Sequence, residues 1–548
     1  EMCIRDSGYP YDRNPMATRI LHRRLEDAYP DKHVEVINTA ITAINSITLR
    51  DFIKQVLKYE PDAILIYAGH NEFYGAFGIG SNETLSKNAF LRSLNFKLMN
   101  FRLAQLVRSG FNGISKNLSK TGGGEESTGT LMKRIVQDKD IVYGGDKYQT
   151  GIDQFRDNMT YILKQAGKKE VPVFLSDLVC NISDLPPFGD IPGGDQSAVS
   201  TYKSALKTLA EGDTLGARQL FYRAKDLDPV RFRASEEINQ IIEKLAAKTG
   251  VNLVPAHKWF ADASEGGLIG NNLLSEHVHP NIEGQFVLAD AFYTKIVESK
   301  LIASAPDPLS YRSKDYYRRN WGYTPLDSLV GDFKIKQLKS HWPFTTLDAA
   351  VSFRDTYNYT GLVDSLAFSI LTNPEANIQS LHEFLGEYYE KNNQVDLACR
   401  EYESLIEFNP YRSTYYKKSA NCHLKLIDFF SAEKHLRKSL GYVESFFAYA
   451  LLGEIESIKR NHQGAVQAYQ SAIELLEEDE KEEERLTQAK LTRAKQEARK
   501  PVQAGVFTYS RYVPFNIAPM YNKALSHLST SLDSSLHYLE LCLEVNDC

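Results

Sequence analysis

The stretch DAILIYAGHNEFYG, residues 62–75, decides how the first half of this chain folds. Ala63 to Tyr67 run without polar alternation, the pattern of a strand buried on both faces. Polar groups then arrive together at its carboxyl end, which is where open parallel sheets bind ligands. Gly69 lets the backbone approach closely there. Asn71 carries two amide hydrogens that suit a developing oxyanion, or equally the cap of the following turn. His70 and Glu72 flank it as candidate substrate contacts.

Outward from that strand, HVEVINT (33–39), VPVFLSD (171–177) and VNLVPA (251–256) have the same compact apolar character. Helical spacing lies between them. NPMATRILHRRLEDAYP (14–30) opens with Asn14 as N-cap and Pro15 at the first helical position, and SITLRDFIKQVLKYEPD (46–62) is amphipathic and closed by Pro61. Strand, helix, strand in this order predicts a parallel sheet with helices over both faces. Two stretches break the rhythm. Residues 85–150 contain the Gly/Ser/Thr/Glu-rich SKTGGGEESTGT and read as an insertion, while residues 198–247 read as an inserted helical hairpin.

A second polar cluster lies in NNLLSEHVHPNIEG (271–284). Glu276 and His279 are three apart on a loop fixed by Pro280. The carboxylate can therefore reach imidazole Nδ1 while Nε2 faces a substrate, the arrangement of a general base and its orienting acid. A metal reading would enlist His277, His279 and His70, but one i, i+2 pair lacks a supporting ligand cluster, and no metal or cofactor is expected. A third segment, VINTAITAINS (36–46), ends a strand in small residues, so the Ala40 N–H can point into a site. Arg231 and Arg233 in VRFRASEE (230–237) either bind an anionic or sugar substrate or serve in structural ion pairs.

Together, AGHNE and EHVHPN at this separation resemble the SGNH (GDSL-type) hydrolase family over about residues 8–300. The resemblance implies an α/β three-layer sandwich with a flavodoxin-like parallel sheet, spanning residues 8–345. It implies Asn71 as oxyanion-hole donor, His279 as base, and Glu276 where the aspartate of the triad usually stands. Ala40 takes the place of the oxyanion glycine, and Glu72 that of the aspartate after the asparagine. In variants with a Gly-Tyr-Pro, the nucleophilic serine lies four residues before that glycine; counting back from Gly8 lands on Ile4, not Ser7. EMCIRDS (1–7) is too short and too polar to be the strand that should carry the serine. Those residues are expected to be a non-native leader, with the first strand and the nucleophile lying upstream.

The C-terminal half, residues 346–548, repeats. In FLGEYYEKNNQVDLACREYESLIEFNP (384–410), Leu385, Gly386, Tyr389, Ala398, Tyr402, Leu405 and Pro410 match the tetratricopeptide (TPR) pattern of paired helices. Ala420, His423, Ala432 and Leu436 fill the same slots in a second copy, and Leu452, Gly453, Ala465, Tyr469 and Ala472 in a third. The clear repeats cover about 379–478, so an all-α solenoid is predicted. The hairpin near 205–229 fits the same template through Ala217, Phe221, Ala224 and Pro229. Residues 476–500 read as a charge-laced helix, and 520–545 as a closing helical pair.

Composition excludes several classes. The 548 residues are 43% hydrophobic and 24% charged, with a net charge of −6, so no basic field draws nucleic acid to the chain. No apolar run reaches the roughly 18 residues of a membrane span. The six cysteines lack the CxxC spacing of a zinc site. Two functions follow. One is a serine esterase or acyl-hydrolase acting on an ester such as an acylated carbohydrate, with the repeats binding a protein; without its nucleophile the chain as written should be nearly inactive. The other is a non-catalytic interaction protein that keeps a hydrolase domain as scaffold. Enzymes of this arrangement resemble envelope-associated or periplasmic proteins with an N-terminal anchor.

Overall fold

The computed structural model describes residues 9–11, 14–41, 43–75, 78–80, 140–191, 197–303, 305–308, 312–345, 351–475 and 481–498. The leader with Ser7, most of the 85–150 insertion and the closing pair at 520–545 lie outside them. The chain divides into two compact units, Glu1–Ile378 and Gln379–Cys548.

The first unit runs α1 (Ala17–Ala28), α2 (Ser46–Val56), β1 (Ile64–Ile66), α3 (Asp146–Gly167), β2 (Val173–Ser176), α4 (Ala198–Ala210), α5 (Thr214–Leu227), α6 (Glu236–Thr249), β3 (Asn252–Val254), α7 (Ala256–Asp262), α8 (Ile282–Ser299), α9 (Lys314–Asn320), α10 (Pro325–Lys339), α11 (Phe353–Thr356) and α12 (Leu362–Thr372). The strands form one parallel sheet in the order β1-β2-β3, with Leu65 opposite Phe174 and Leu175 opposite Leu253. β1 and β2 are buried along their whole length, as their unbroken apolar runs require. α2, α3 and α6 pack as one group, and α1, α7 and α8 as another.

The described residues thus carry a small three-stranded sheet in a mostly helical unit, less than the full sandwich expected. The strand predicted at 33–39 does not form; of those residues only Val36 is buried, and none joins a ladder. A strand exists only where a neighbouring backbone pairs with it, and the described residues supply no neighbour on that side. The inserted hairpin is α4–α5 alone: Ala205, Ala217, Phe221 and Ala224 are buried together, whereas α6 lies against the sheet. The boundary expected at 345/346 also moves, to 378/379. Phe333 of α10 packs at 5.4 Å from Phe353, 4.7 Å from Tyr357 and 6.2 Å from Phe368, which ties α11 and α12 to the first unit.

The second unit consists of α13 (Ile378–Lys391), α14 (Val395–Phe408), α15 (Ser413–Lys425), α16 (Phe429–Leu440), α17 (Phe446–Ile458), α18 (His462–Glu474) and α19 (Lys481–Ala498), the charge-laced helix of the sequence. Sequence neighbours pair into a TPR-type array, with Ala398, Ala432 and Ala465 each fully buried. One slot pair explains the spacing. Gly386 faces the Tyr402 ring, where an added β-carbon would lie 2.5 Å from Cε1, and Gly453 faces Tyr469 in the same way. In the middle copy Ala420 and Leu436 share a cluster instead, so a smaller partner permits a methyl.

That contact predicts a sign. By helix propensity alone Gly386→Ala should stabilise by about 1 kcal/mol. The clash with a buried ring should outweigh this and destabilise the unit by about 1–3 kcal/mol. Urea unfolding followed by helical ellipticity decides, and a variant more stable than the parent would show the glycine unnecessary. Among the described residues no helix is long and apolar enough to cross a membrane.

Candidate functional site

The loop between β3's helix α7 and α8 is a closed turn. Leu274 and Pro280 form an antiparallel bridge, the Ser275 N–H donates to the His279 carbonyl at 2.9 Å, and the Asn281 N–H donates to Leu273 at 2.9 Å. Inside it, Glu276 is fully buried. One carboxylate oxygen, Oε1, accepts from the His279 N–H at 2.7 Å and the Val278 N–H at 3.2 Å, and lies 2.6 Å from His279 Nδ1. The acid is thereby fixed before it meets the imidazole, and the extra methylene of Glu over Asp is absorbed by this turn. His279 keeps 30% of its side chain exposed.

His277 points the other way. It sits edge-on among Phe188, Phe232 and Phe344 at 5.6–5.9 Å and touches the second Glu276 oxygen. Burial holds its imidazole well below the ordinary histidine range, so it stays neutral. Ligand atoms of Glu276, His277 and His279 lie within 4.8 Å of one another, but His70, the third histidine of the metal reading, is not in that group.

The Tyr9 ring lies 5.0 Å from the His279 ring, so Tyr9 borders the base. Burial pushes the Tyr9 phenol up to about 12, and its hydroxyl donates to the Lys334 carbonyl at 3.2 Å. Asn71, half-buried after β1, has its carbonyl engaged by the Gly75 N–H, while its side-chain amide makes no hydrogen bond among the described residues.

Five other expected contacts turn out to be structural. Glu72 is fully buried and accepts from Ser46 Oγ at 2.7 Å, the Ser46 N–H at 3.1 Å and Gln154 at 2.7 Å. A carboxylate at the start of α2 meets that helix's unpaired N–H groups and the positive end of its dipole, so Glu72 holds the helix, not a substrate. His70 is buried, its Nδ1 accepting from the Ala234 N–H at 3.3 Å beside the Cys180 thiol. Gly69 makes room for Leu178, whose Cδ1 would lie 2.5 Å from an added β-carbon.

Arg231 donates to the Ile141 and Asp226 carbonyls under the Tyr148 ring. Arg233 pairs with Asp228 at 3.0 Å and donates to the Asn181 and Leu185 carbonyls. Both arginines are spent inside the fold, where carbonyl and carboxylate partners meet most of their N–H groups, although Arg231 Nη2 and Arg233 Nε have no hydrogen-bond partner among the described residues. Ala40 also departs from expectation. Its N–H donates to Asn38 Oδ1 at 2.9 Å and is not presented to the site.

The helical unit holds a Ser/His/Glu set that the sequence did not announce. His382 Nδ1 lies 2.6 Å from Glu401, and Ser404 Oγ lies 3.3 Å from Nε2. All three are at most 1% exposed, so no ester reaches them, and they pin α13 to α14. Residues from two helices meet there, and no spacing rule connects them.

No protein-family model matches the chain, and no curated protein matches it. Solved structures that match include the TPR domain of P58(IPK), at 14% identity, with 63% of this chain and 95% of that one covered and a TM-score of 0.21. A likeness at that score carries no argument, and the repeat assignment stands on the helix pairs and their buried slots.

Proposed function

We propose that this chain is an interaction protein whose TPR-type array binds a polypeptide partner. The observation that carries this is the run of helix pairs with corresponding buried slots, since such arrays use their repeated surface for binding and have no chemistry of their own. Phe384 and Tyr388 on α13 support it: they are large aromatic side chains left 48% and 40% exposed, the residue type enriched at the centres of interfaces. Peptide display against the full chain should enrich sequences whose binding falls at least tenfold with Phe384→Ala or Tyr388→Ala. Binding unchanged by both variants would remove this surface from the proposal.

A second reading, ester hydrolysis, is favoured by one specific observation, the Glu276–His279 pair in a partly open site. In it a serine upstream of Gly8 attacks the ester carbonyl, His279 takes its proton and returns it to the leaving alcohol, and Glu276 steadies the imidazolium. Asn71 donates to the oxyanion. With Ala40 engaged by Asn38, the second donor must come from elsewhere. An acylated carbohydrate is the proposed substrate class. The chain extended upstream by a strand ending in Gly-x-Ser should hydrolyse an aryl acetate, and His279→Ala should cost about 10²–10⁴-fold in kcat/KM. Background activity alone, or indifference to His279→Ala, leaves the interaction reading by itself.

A further inference from the structure

The second unit contains a cluster outside both readings. Cys399 and Glu403 stand at i and i+4 on α14, hence on one face of that helix, and His423 on α15 meets them. Cys399 and His423 are buried, while Glu403 is partly open. Glu403 Oε1 lies 2.9 Å from His423 Nε2, and one ligand atom from each of the three residues lies within 4.8 Å of the other two. The other imidazole nitrogen is already committed, since Nδ1 faces Asp428 Oδ2 at 3.3 Å. Asp428 is itself anchored, its Oδ1 accepting the Ser431 N–H at 3.0 Å at the start of α16.

A carboxylate on Nδ1 fixes the tautomer and aims Nε2 at the group on its far side, which is how metal-binding histidines are oriented. Here that far side holds a thiol and a second carboxylate. We propose that Cys399, Glu403 and His423 bind a divalent transition-metal ion of the zinc type, with Asp428 as the positioning residue. Sulfur, nitrogen and one oxygen suit zinc or cobalt, whereas magnesium and calcium take oxygen ligands. Bond lengths of about 2.0–2.3 Å imply ligand-to-ligand separations of roughly 3.3–3.8 Å, within reach of side-chain rotation from the observed positions. Three protein ligands leave a fourth tetrahedral position on the Glu403 side for water or a partner's side chain. On binding, the Cys399 thiol and His423 Nε2, whose hydrogen is donated to Glu403 before the ion arrives, each give one proton to solvent, and the neutral Nε2 then coordinates. The ion would fasten α14 to α15, the join between the first and second helix pairs.

The competing account is an ion pair alone, with a protonated His423 between Glu403 and Asp428. It gives the thiol no part, and the experiment separates the two there. Cobalt(II) added to the full chain should produce a thiolate-to-cobalt charge-transfer band with tetrahedral d–d absorption at one equivalent. Cys399→Ser should abolish the band, while Cys422→Ser, next to the cluster but outside it, should keep it. Asp428→Asn should weaken cobalt affinity about 10–100-fold, the effect of losing an outer-shell partner. Zinc should raise the melting temperature of the parent chain and not that of Cys399→Ser, a variant that retains the Glu403–His423–Asp428 contacts and hence the fold. No band in the parent chain, or a band that survives Cys399→Ser, overturns the proposal, the latter by assigning the metal to other thiols.

Discussion

Replacing Asp228 with alanine is expected to lower the unfolding free energy of the first unit by about 3–5 kcal/mol, the cost of leaving a buried charge without its partner. Asp228 is 2% exposed and Arg233 is 4% exposed, so neither can turn to water. The loss extends past the ion pair. Asp228 also accepts the Phe188 N–H at 2.8 Å, the Gly189 N–H at 3.1 Å and the Val230 N–H at 3.0 Å, and all three donors would be orphaned. Arg233→Met in the Asp228→Ala background should recover part of the loss, because an apolar chain of similar length removes the stranded charge. Urea unfolding of the parent, both single variants and the double variant completes the cycle. Additive losses would show that the two residues do not act as a pair.

The second large effect depends on pH. Asp177, at the end of β2, is buried, and burial pushes its carboxyl up to about 7 even though the His257 N–H donates to it at 2.8 Å. In the unfolded chain the same group titrates near 3.9. Between those values the folded state holds the proton and the unfolded state does not, so stability falls as pH rises from about 4 to 7. The accumulated loss is about 4 kcal/mol at pH 8. Asp177→Asn keeps an acceptor for His257 and carries no charge. It should therefore melt with the parent at pH 4 and well above it at pH 8. A variant that melts at or below the parent at pH 8 would show that the carboxylate is accommodated after all.

The helical repeats were readable because their determinants are local. Gly386 and Tyr402 are sixteen residues apart, and every slot of a helix pair lies within one repeat, so chain order stands in for space. β1 and β2 were readable for a related reason, since burial on both faces leaves an unbroken apolar run. The 33–39 segment offers the branched apolar residues Val34, Val36 and Ile37 and forms no strand, because pairing is a property of two segments and composition belongs to one. Among the candidate site residues, Glu276 and His279 were legible since three residues separate them. Ala40 was not, because the side chain two positions before it decides where its N–H points.

Glu72 shows the other limit. Its partners Ser46 and Gln154 come from α2 and α3, distant in sequence, and only packing turns an expected substrate contact into the anchor of a helix. Arg231 and Arg233 likewise became internal once the backbone carbonyls of Ile141, Asn181 and Leu185 closed around them. The same holds for His382 with Ser404 and for Cys399 with His423, pairs joined across helices. By itself the sequence determined the helix pairs, the buried strands and the Glu276–His279 dyad, each set by periodicity or by a spacing of a few residues. The tertiary structure alone decided which polar groups face solvent and which are consumed inside, because a buried charge must find partners wherever the fold brings them.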